Sequence, residues 1–108
     1  MDKVLSLMGL CRRAGKLQAG FDACREAARN GKAALLIAAA DVSPKTYKNL
    51  SYEADRAGIE AIRLGSDMAE LGRACGVRAG VVAVCDRGFA GALLKEYGKK
   101  DQQREKEE

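Results

Sequence analysis

The segment Lys16–Ser43 constrains the fold most, because it contains a complete strand–helix–strand unit. It begins with a short predicted strand, Leu17–Ala19. After Gly20, apolar residues recur at helical spacing and define a buried face, which comprises Phe21, Cys24, Ala27 and Ala28. Asn30-Gly31 is typical of a helix C-terminus, because glycine readily enters the left-handed conformation. The apolar run Ala34–Ala39 then predicts a central strand covered on both faces.

The same alternation of apolar strands and amphipathic helices extends through the rest of the chain. Before this unit, Asp2 is a candidate N-cap for a helix that ends near Ala14. The predicted buried residues of this helix are Val4, Leu5, Met8 and Cys11. After the unit, the pattern predicts helix, strand, helix, strand and helix over Pro44–Ala57, Glu60–Leu64, Asp67–Cys75, Val81–Cys85 and Arg87–Tyr97. This alternation is typical of a three-layer α/β/α sandwich.

Polar residues at the ends of the predicted strands are better explained as helix caps than as catalytic groups. The predicted caps and turn residues are Asp41, Ser43, Asp67 and Asp86. No second carboxylate stands at a useful spacing for acid–base chemistry or metal binding. Within the helices, spacing places Met68 toward the core and Glu53 toward solvent.

The length of 108 residues is enough for one hydrophobic core, and we expect a single domain over residues 1–98. Gly98 is predicted to end the last helix. Residues 99–108 are charged, lack apolar anchors and are predicted to form a disordered tail. The net charge of +4 is compatible with nucleic-acid binding but also occurs in proteins that bind nothing.

The composition excludes several classes of site. The chain has no histidine, which excludes catalytic sites of the Ser-His-Asp and Cys-His types and every metal site with a histidine ligand. Its four cysteines form no C-x-x-C pair, so we expect free, buried thiols in a reducing compartment, although the sequence leaves open a disulfide between spatial neighbours. No signal peptide or membrane-spanning run is evident, which predicts a cytoplasmic protein. We expect no cofactor and no metal ion.

Two glycine-bounded segments are candidate ligand sites. The helix start after Gly20 lacks the glycine-rich motifs of nucleotide-binding sites. Asp22 in its first turn would repel a phosphate, but its charge complements the helix dipole. The loop Gly76–Gly80 holds two apolar residues around Arg78. Its glycines allow a partner to approach the backbone, but the loop is equally explained as a plain connector.

A series of short motifs covers the chain from Val4 to Tyr97. They are Leu5–Leu10 followed by Arg12–Lys16, then Gly20–Asp22, Gly31–Ala38, Ala40–Pro44, Leu71–Gly76 and Val81–Ala90. In order and spacing, these motifs resemble the ribosomal L7Ae/L30e/S12e/Gadd45 superfamily, most closely its small bacterial L7Ae-like members. The resemblance implies an α/β/α sandwich around a four-stranded mixed sheet. It also implies RNA binding, typically at kink-turns. On this basis we expect a non-enzymatic RNA-binding protein that is associated with the ribosome or with another structured RNA.

The resemblance also implies where RNA would bind. In the family, a G-x-N-E-x-x-K pattern at the start of the second helix enters the RNA groove, and the loop before the last strand covers an unstacked base. Here the helix positions hold Gly20, Asp22, Ala23 and Glu26, and Glu26 replaces a cation with an anion. The predicted RNA-binding residues are Lys16, Gly20, Asp22, Arg25, Arg29, Lys32, Val77, Arg78 and Ala79. Of these, the four cations Lys16, Arg25, Arg29 and Lys32 are assigned to phosphates.

Two rival functions follow from the same residues. Ala23 and Glu26 also fit a protein-interaction module that keeps this fold without binding RNA. The four cysteines and the acids at the strand ends suggest a redox or hydrolytic enzyme as the second alternative. The absence of histidine disfavours this alternative. We expect a monomer whose partners are structured RNA and ribosomal or other proteins, with no membrane partner.

Overall fold

The computed structural model describes residues 3–76 and 78–107, which form five helices and four strands. In chain order they are α1 (Lys3–Arg13), β1 (Leu17–Ala19), α2 (Phe21–Arg29), β2 (Leu35–Ala38), α3 (Pro44–Ala57), β3 (Glu60–Arg63), α4 (Met68–Cys75), β4 (Val81–Val84) and α5 (Arg87–Glu107). The alternation predicted from the sequence is confirmed, and most predicted bounds are met within one residue. The predicted cap Asp2 lies outside the described residues.

The four strands form one mixed sheet in the order β1-β4-β2-β3. Strand β4 is antiparallel to both of its neighbours, so that Val84 lies opposite Leu17 on one side and Leu35 on the other. Strands β2 and β3 are parallel and are joined through α3. Every residue of β2 and β4 is buried, which confirms that the two apolar runs are central strands.

The helices cover both faces of the sheet. Helices α2 and α3 pack on each other and on the central strands, whereas α1 packs between α4 and α5 in the other helical layer. The predicted buried residues Val4, Leu5, Met8 and Cys11 all belong to the core. The structure is therefore the predicted α/β/α sandwich around a four-stranded mixed sheet.

Three side chains cap helices as the sequence predicts. Ser43 Oγ accepts from the Thr46 N–H at 3.1 Å, and Asp67 forms a capping box with Glu70. Asp86 Oδ2 accepts from the Phe89 N–H at 2.8 Å. These bonds satisfy amide groups that the first turn of a helix leaves unpaired.

Three predictions about the helices were wrong. Helix α5 continues to Glu107 through Gly98, because a glycine inside a helix costs only about 1 kcal/mol and its lysine, glutamine and glutamate neighbours favour helix. Met68 is 42% exposed, since it lies in the first turn of α4 beyond the core. Glu53 is buried because Arg29 of the neighbouring helix pairs with it. The division into a domain over residues 1–98 and a separate tail stays a prediction.

Within the described chain, no helix combines the length and apolar character needed to cross a membrane.

Candidate nucleic-acid interface

The start of α2 lies beside the start of β4. The Gly20 N–H donates to the Val81 carbonyl at 3.0 Å, which joins the end of β1 to the residue that follows the Gly76–Gly80 loop. Gly20 has φ 100° and ψ 153°, a conformation that is essentially restricted to glycine. Apart from Gly20 itself and its two chain neighbours, no described atom comes within 4 Å of the position that a Cβ would occupy there. The two segments predicted to contact RNA therefore meet at one end of the sheet, beside open space.

The loop before β4 is held in place at both of its glycines. Gly76 ends α4 with φ 70°, and Arg12 Nη1 lies 3.0 Å from the position of a Cβ on this residue. At the other end, a Cβ on Gly80 would lie 2.6 Å from Val42 Cγ1 and 3.1 Å from Met68 Sδ. This packing leaves no room for a side chain at Gly80.

The middle of the loop has side chains available to a partner. Arg78 is exposed and Ala79 is half-buried, whereas Val77 lies outside the described residues. The guanidinium of Arg12 near Gly76 adds a second cation to this region. Arg12 lies in the last turn of α1, and no local sequence pattern indicates its proximity to a residue more than sixty positions away.

The first turn of α2 pairs an acid with a base. Asp22 Oδ1 accepts from Arg25 Nη2 at 3.0 Å, and the Arg25 guanidinium lies 6.0 Å from the centre of the Phe21 ring. The Asp22 side chain is 91% exposed, so water competes for this ion pair and keeps it weak. The guanidinium can therefore exchange Asp22 for a phosphate.

Arg29, another predicted phosphate contact, forms two hydrogen bonds with Glu53 of α3. Its Nε donates to Oε1 at 3.2 Å and its Nη2 donates to Oε2 at 3.1 Å. Hydrogen bonding to Glu53, and then its charge, raises the pKa of Arg29 above its ordinary value. The remaining guanidinium surface still faces solvent.

Lys16 and Lys32, also predicted to contact phosphate, lie at the opposite end of β4. The Lys16 carbonyl accepts from the Cys85 N–H at 2.8 Å, directly after the strand. The charges of Lys32 and Lys16 both favour the Cys85 thiolate, but burial outweighs them and raises the pKa of this thiol. The predicted site residues are therefore divided between two ends of the sheet.

A shallow cavity of about 250 Å³ lies between β1 and α2 and extends from Ala23, in the first turn of α2, to Lys32 and Cys85. Its lining includes Gln18, Ala23, Glu26, Asn30, Lys32 and Cys85. Glu26 is exposed there, so the middle of this passage carries a negative charge between two basic regions. A polyanion would meet repulsion at that point.

The cysteines provide no assembled reactive centre within the described residues. All four cysteines are reduced thiols, and Cys85 is the one that is partly exposed. Burial raises the pKa of Cys11 to about 11 and that of Cys24 to about 12. No group of three or more described cysteine, aspartate or glutamate side chains could hold a metal ion.

Comparison with known proteins gives the same fold and one family. The family model of the ribosomal protein L7Ae/L30e/S12e/Gadd45 family matches residues 2–93. The chain is 36% identical over 89 residues to the RNA-binding protein YlxQ of Bacillus subtilis. The aligned region covers 82% of this chain and 88% of YlxQ.

Two further similarities cover most of both chains compared. The large ribosomal subunit protein eL30B of Schizosaccharomyces pombe is 33% identical over 94 residues, covering 85% of this chain and 80% of eL30B. A solved structure of a Bacillus halodurans protein of unknown function superposes with a TM-score of 0.84 at 33% identity. That comparison covers 89% of this chain and 97% of the other.

Proposed function

The chain belongs to the ribosomal protein L7Ae/L30e/S12e/Gadd45 family, and on this basis we propose that it is a non-enzymatic RNA-binding protein. Two of the three similar proteins described above are named as an RNA-binding protein and a ribosomal protein. The observation that supports the proposal best is the Gly20–Val81 hydrogen bond, which places an open helix start beside the loop before β4. RNA docks at this junction.

Each part of the junction contributes a different contact. Gly20 lets the RNA approach the backbone closely, and Asp22 accepts from a base amino or imino group. Arg25 and Arg78 neutralise phosphates, and Ala79 packs with Val77 on an unstacked base. Single-stranded loops and bulges expose such bases, so the RNA is structured and interrupted by unpaired nucleotides.

We propose kink-turn RNA as the ligand class and the ribosome or its precursors as the setting. The protein works as a monomer in the cytoplasm. Relative to the family pattern, Asp22 lacks amide donors and Glu26 replaces a cation. The expected affinity is therefore lower than for a chain that carries the full pattern.

The test is a gel-shift titration at low salt against three RNAs: a kink-turn, the same RNA with its unpaired bulge deleted, and an unrelated hairpin. We expect the kink-turn to bind tightest. No shift with any of the three RNAs overturns the proposal. In that case, a protein partner recovered after nuclease treatment supports the interaction-module alternative.

A matched pair of charge reversals locates the contact. Arg25→Glu weakens binding and makes its salt dependence shallower, because one phosphate contact is lost. Lys95→Glu makes the same charge change on α5, in the other helical layer. Its affinity and salt dependence should stay closer to those of the unmodified chain. Equal effects of the two variants would remove Arg25 from the interface.

A further inference from the structure

A second group of cations lies at the end of β4 that is remote from Gly20. Lys16 is joined to Cys85 through its carbonyl, and Lys32 and Arg87 line the same shallow cavity as Cys85. All three cationic side chains are exposed. We call Lys16, Lys32 and Arg87 the Cys85-end cluster. Helix α5 begins within it, at Arg87.

This cluster is separate from the junction at Gly20. Val81 lies beside Gly20 and Cys85 lies beside Lys16, so the two contacts are four residues apart on one extended segment, or about 14 Å. Glu26 stands in the cavity between them and repels phosphate. One uninterrupted run of phosphates along this passage is therefore disfavoured, whereas separate contacts at its two ends are not.

The shape around the cluster fits a nucleic-acid backbone better than an apolar peptide. The cavity is open, about 700 Å³ in volume, and its lining includes the small residues Gly31, Ala34, Gly58 and Gly91. Its large aliphatic lining residues, Ile59 and Leu94, pack against the core, so the open cavity gives a peptide side chain little depth in which to anchor. Its lining includes the acid Asp86, whose carboxylate already accepts the Phe89 N–H. The exposed cations of this lining, Lys32 and Arg87, together with the nearby Lys16, complement a strand of phosphates.

We propose that Lys16, Lys32 and Arg87 form a second RNA-contacting surface, which binds backbone phosphates of the same RNA molecule that docks at Gly20. This inference rests on the proposed function. The protein then contacts two segments of one folded RNA through two separate surfaces, and the negative charge of Glu26 lies between these surfaces. The proposal also adds Arg87, which was not among the residues predicted to bind RNA.

Cys85 provides a local reporter for this surface. It is partly exposed and belongs to both cavities, whereas Cys11, Cys24 and Cys75 are buried. The unmodified chain is treated with N-ethylmaleimide at mildly alkaline pH, with and without kink-turn RNA that carries extended flanking helices. Binding is measured by gel shift in the same samples, and Cys85→Ser identifies the labelled site.

The proposal predicts that RNA slows the labelling of Cys85 by about tenfold when nine-tenths of the chain is bound, because only the free fraction reacts. Lys16→Gln with Lys32→Gln reduces this protection and makes the salt slope shallower by about 1.4 to 1.8 for two lost phosphates, from single-stranded to duplex RNA. The control pair Lys3→Gln with Lys95→Gln removes the same charge from exposed sites on α1 and α5 and keeps the protection.

The outcomes separate the two proposals. A shift with unchanged Cys85 labelling overturns the second surface and leaves RNA binding at Gly20 intact. Equal loss of protection in the two double variants also overturns it, since the effect would then follow net charge alone. Absence of any shift at low salt overturns both proposals.

Discussion

Arg29 of α2 and Glu53 of α3 are joined side by side through two hydrogen bonds of 3.2 and 3.1 Å. The Glu53 side chain is only 8% exposed, whereas that of Arg29 is 59% exposed. Glu53 therefore depends on a partner that water can reach. This pair joins the two helices of one layer, and the helix that Arg29 ends is the same one that begins at the proposed RNA junction.

Removing Arg29 should destabilise the fold, because Glu53 would remain buried without its cation. We expect Arg29→Gln to lower the urea midpoint of unfolding. Arg29→Gln combined with Glu53→Gln should recover part of the loss, because no uncompensated charge then remains. If the double variant is destabilised by the sum of the losses of stability in the two single variants, the side chains are not coupled.

Replacing Gly20 should cost stability because of its backbone conformation. At φ 100° and ψ 153°, we expect Gly20→Ala to lower the free energy of unfolding by about 1–3 kcal/mol, although the added methyl group has space. Gly98→Ala, inside α5 and also unhindered, is the matched control and should raise stability by up to about 1 kcal/mol. The measurement is denaturant unfolding, and equal effects of the two changes would contradict the prediction.

Neutralising Glu26 should strengthen RNA binding, because its exposed carboxylate lies between the two proposed phosphate contacts. We expect the RNA affinity at low salt to rise by about two- to fivefold from the unmodified chain to Glu26→Gln, and by a similar factor from Glu26→Gln to Glu26→Lys. The gain should shrink as salt screens the charges. Gel-shift titrations at two salt concentrations test this, and a flat series would place the RNA away from Glu26.

Stability should fall at alkaline pH because of Cys24. Its pKa is raised by burial from an ordinary value of 9.0 to about 12 in the folded chain. The unfolded chain therefore loses this proton first, and above pH 9 the free energy of unfolding falls by at most about 1.4 kcal/mol per pH unit. Below pH 9 this contribution is constant.

The check on this pH dependence is a set of unfolding curves between pH 8 and pH 11 for the unmodified chain and for Cys24→Ala. The variant leaves a small cavity, so the slopes with pH are compared rather than the absolute stabilities. The variant should have the shallower slope. Identical slopes would mean that Cys24 ionises equally in both states.

Several features of the fold were predictable because their causes are local. Ser43, Asp67 and Asp86 cap helices through bonds to amides three residues away, so the cap and its partner are adjacent in the sequence. The apolar runs of β2 and β4 predicted central strands because burial on both faces leaves no polar alternation. The family motifs predicted the same architecture independently.

The candidate site was less predictable, because proximity between distant residues depends on packing. Glu53 has the sequence setting of an exposed helix residue, and only the crossing of α2 and α3 supplies Arg29 and buries it. Arg12 and Gly76 meet for the same reason, through the approach of two helix ends.

The sequence alone therefore determined the order of helices and strands, their caps and the glycine-bounded start of α2, since these depend on neighbours along the chain. The tertiary structure decided which of the predicted contacts lie together. Pairing of β1 with β4 sets Gly20 against Val81 and Lys16 against Cys85. Because the two strands are extended and antiparallel, residues four positions apart in the sequence stand at opposite ends of the sheet.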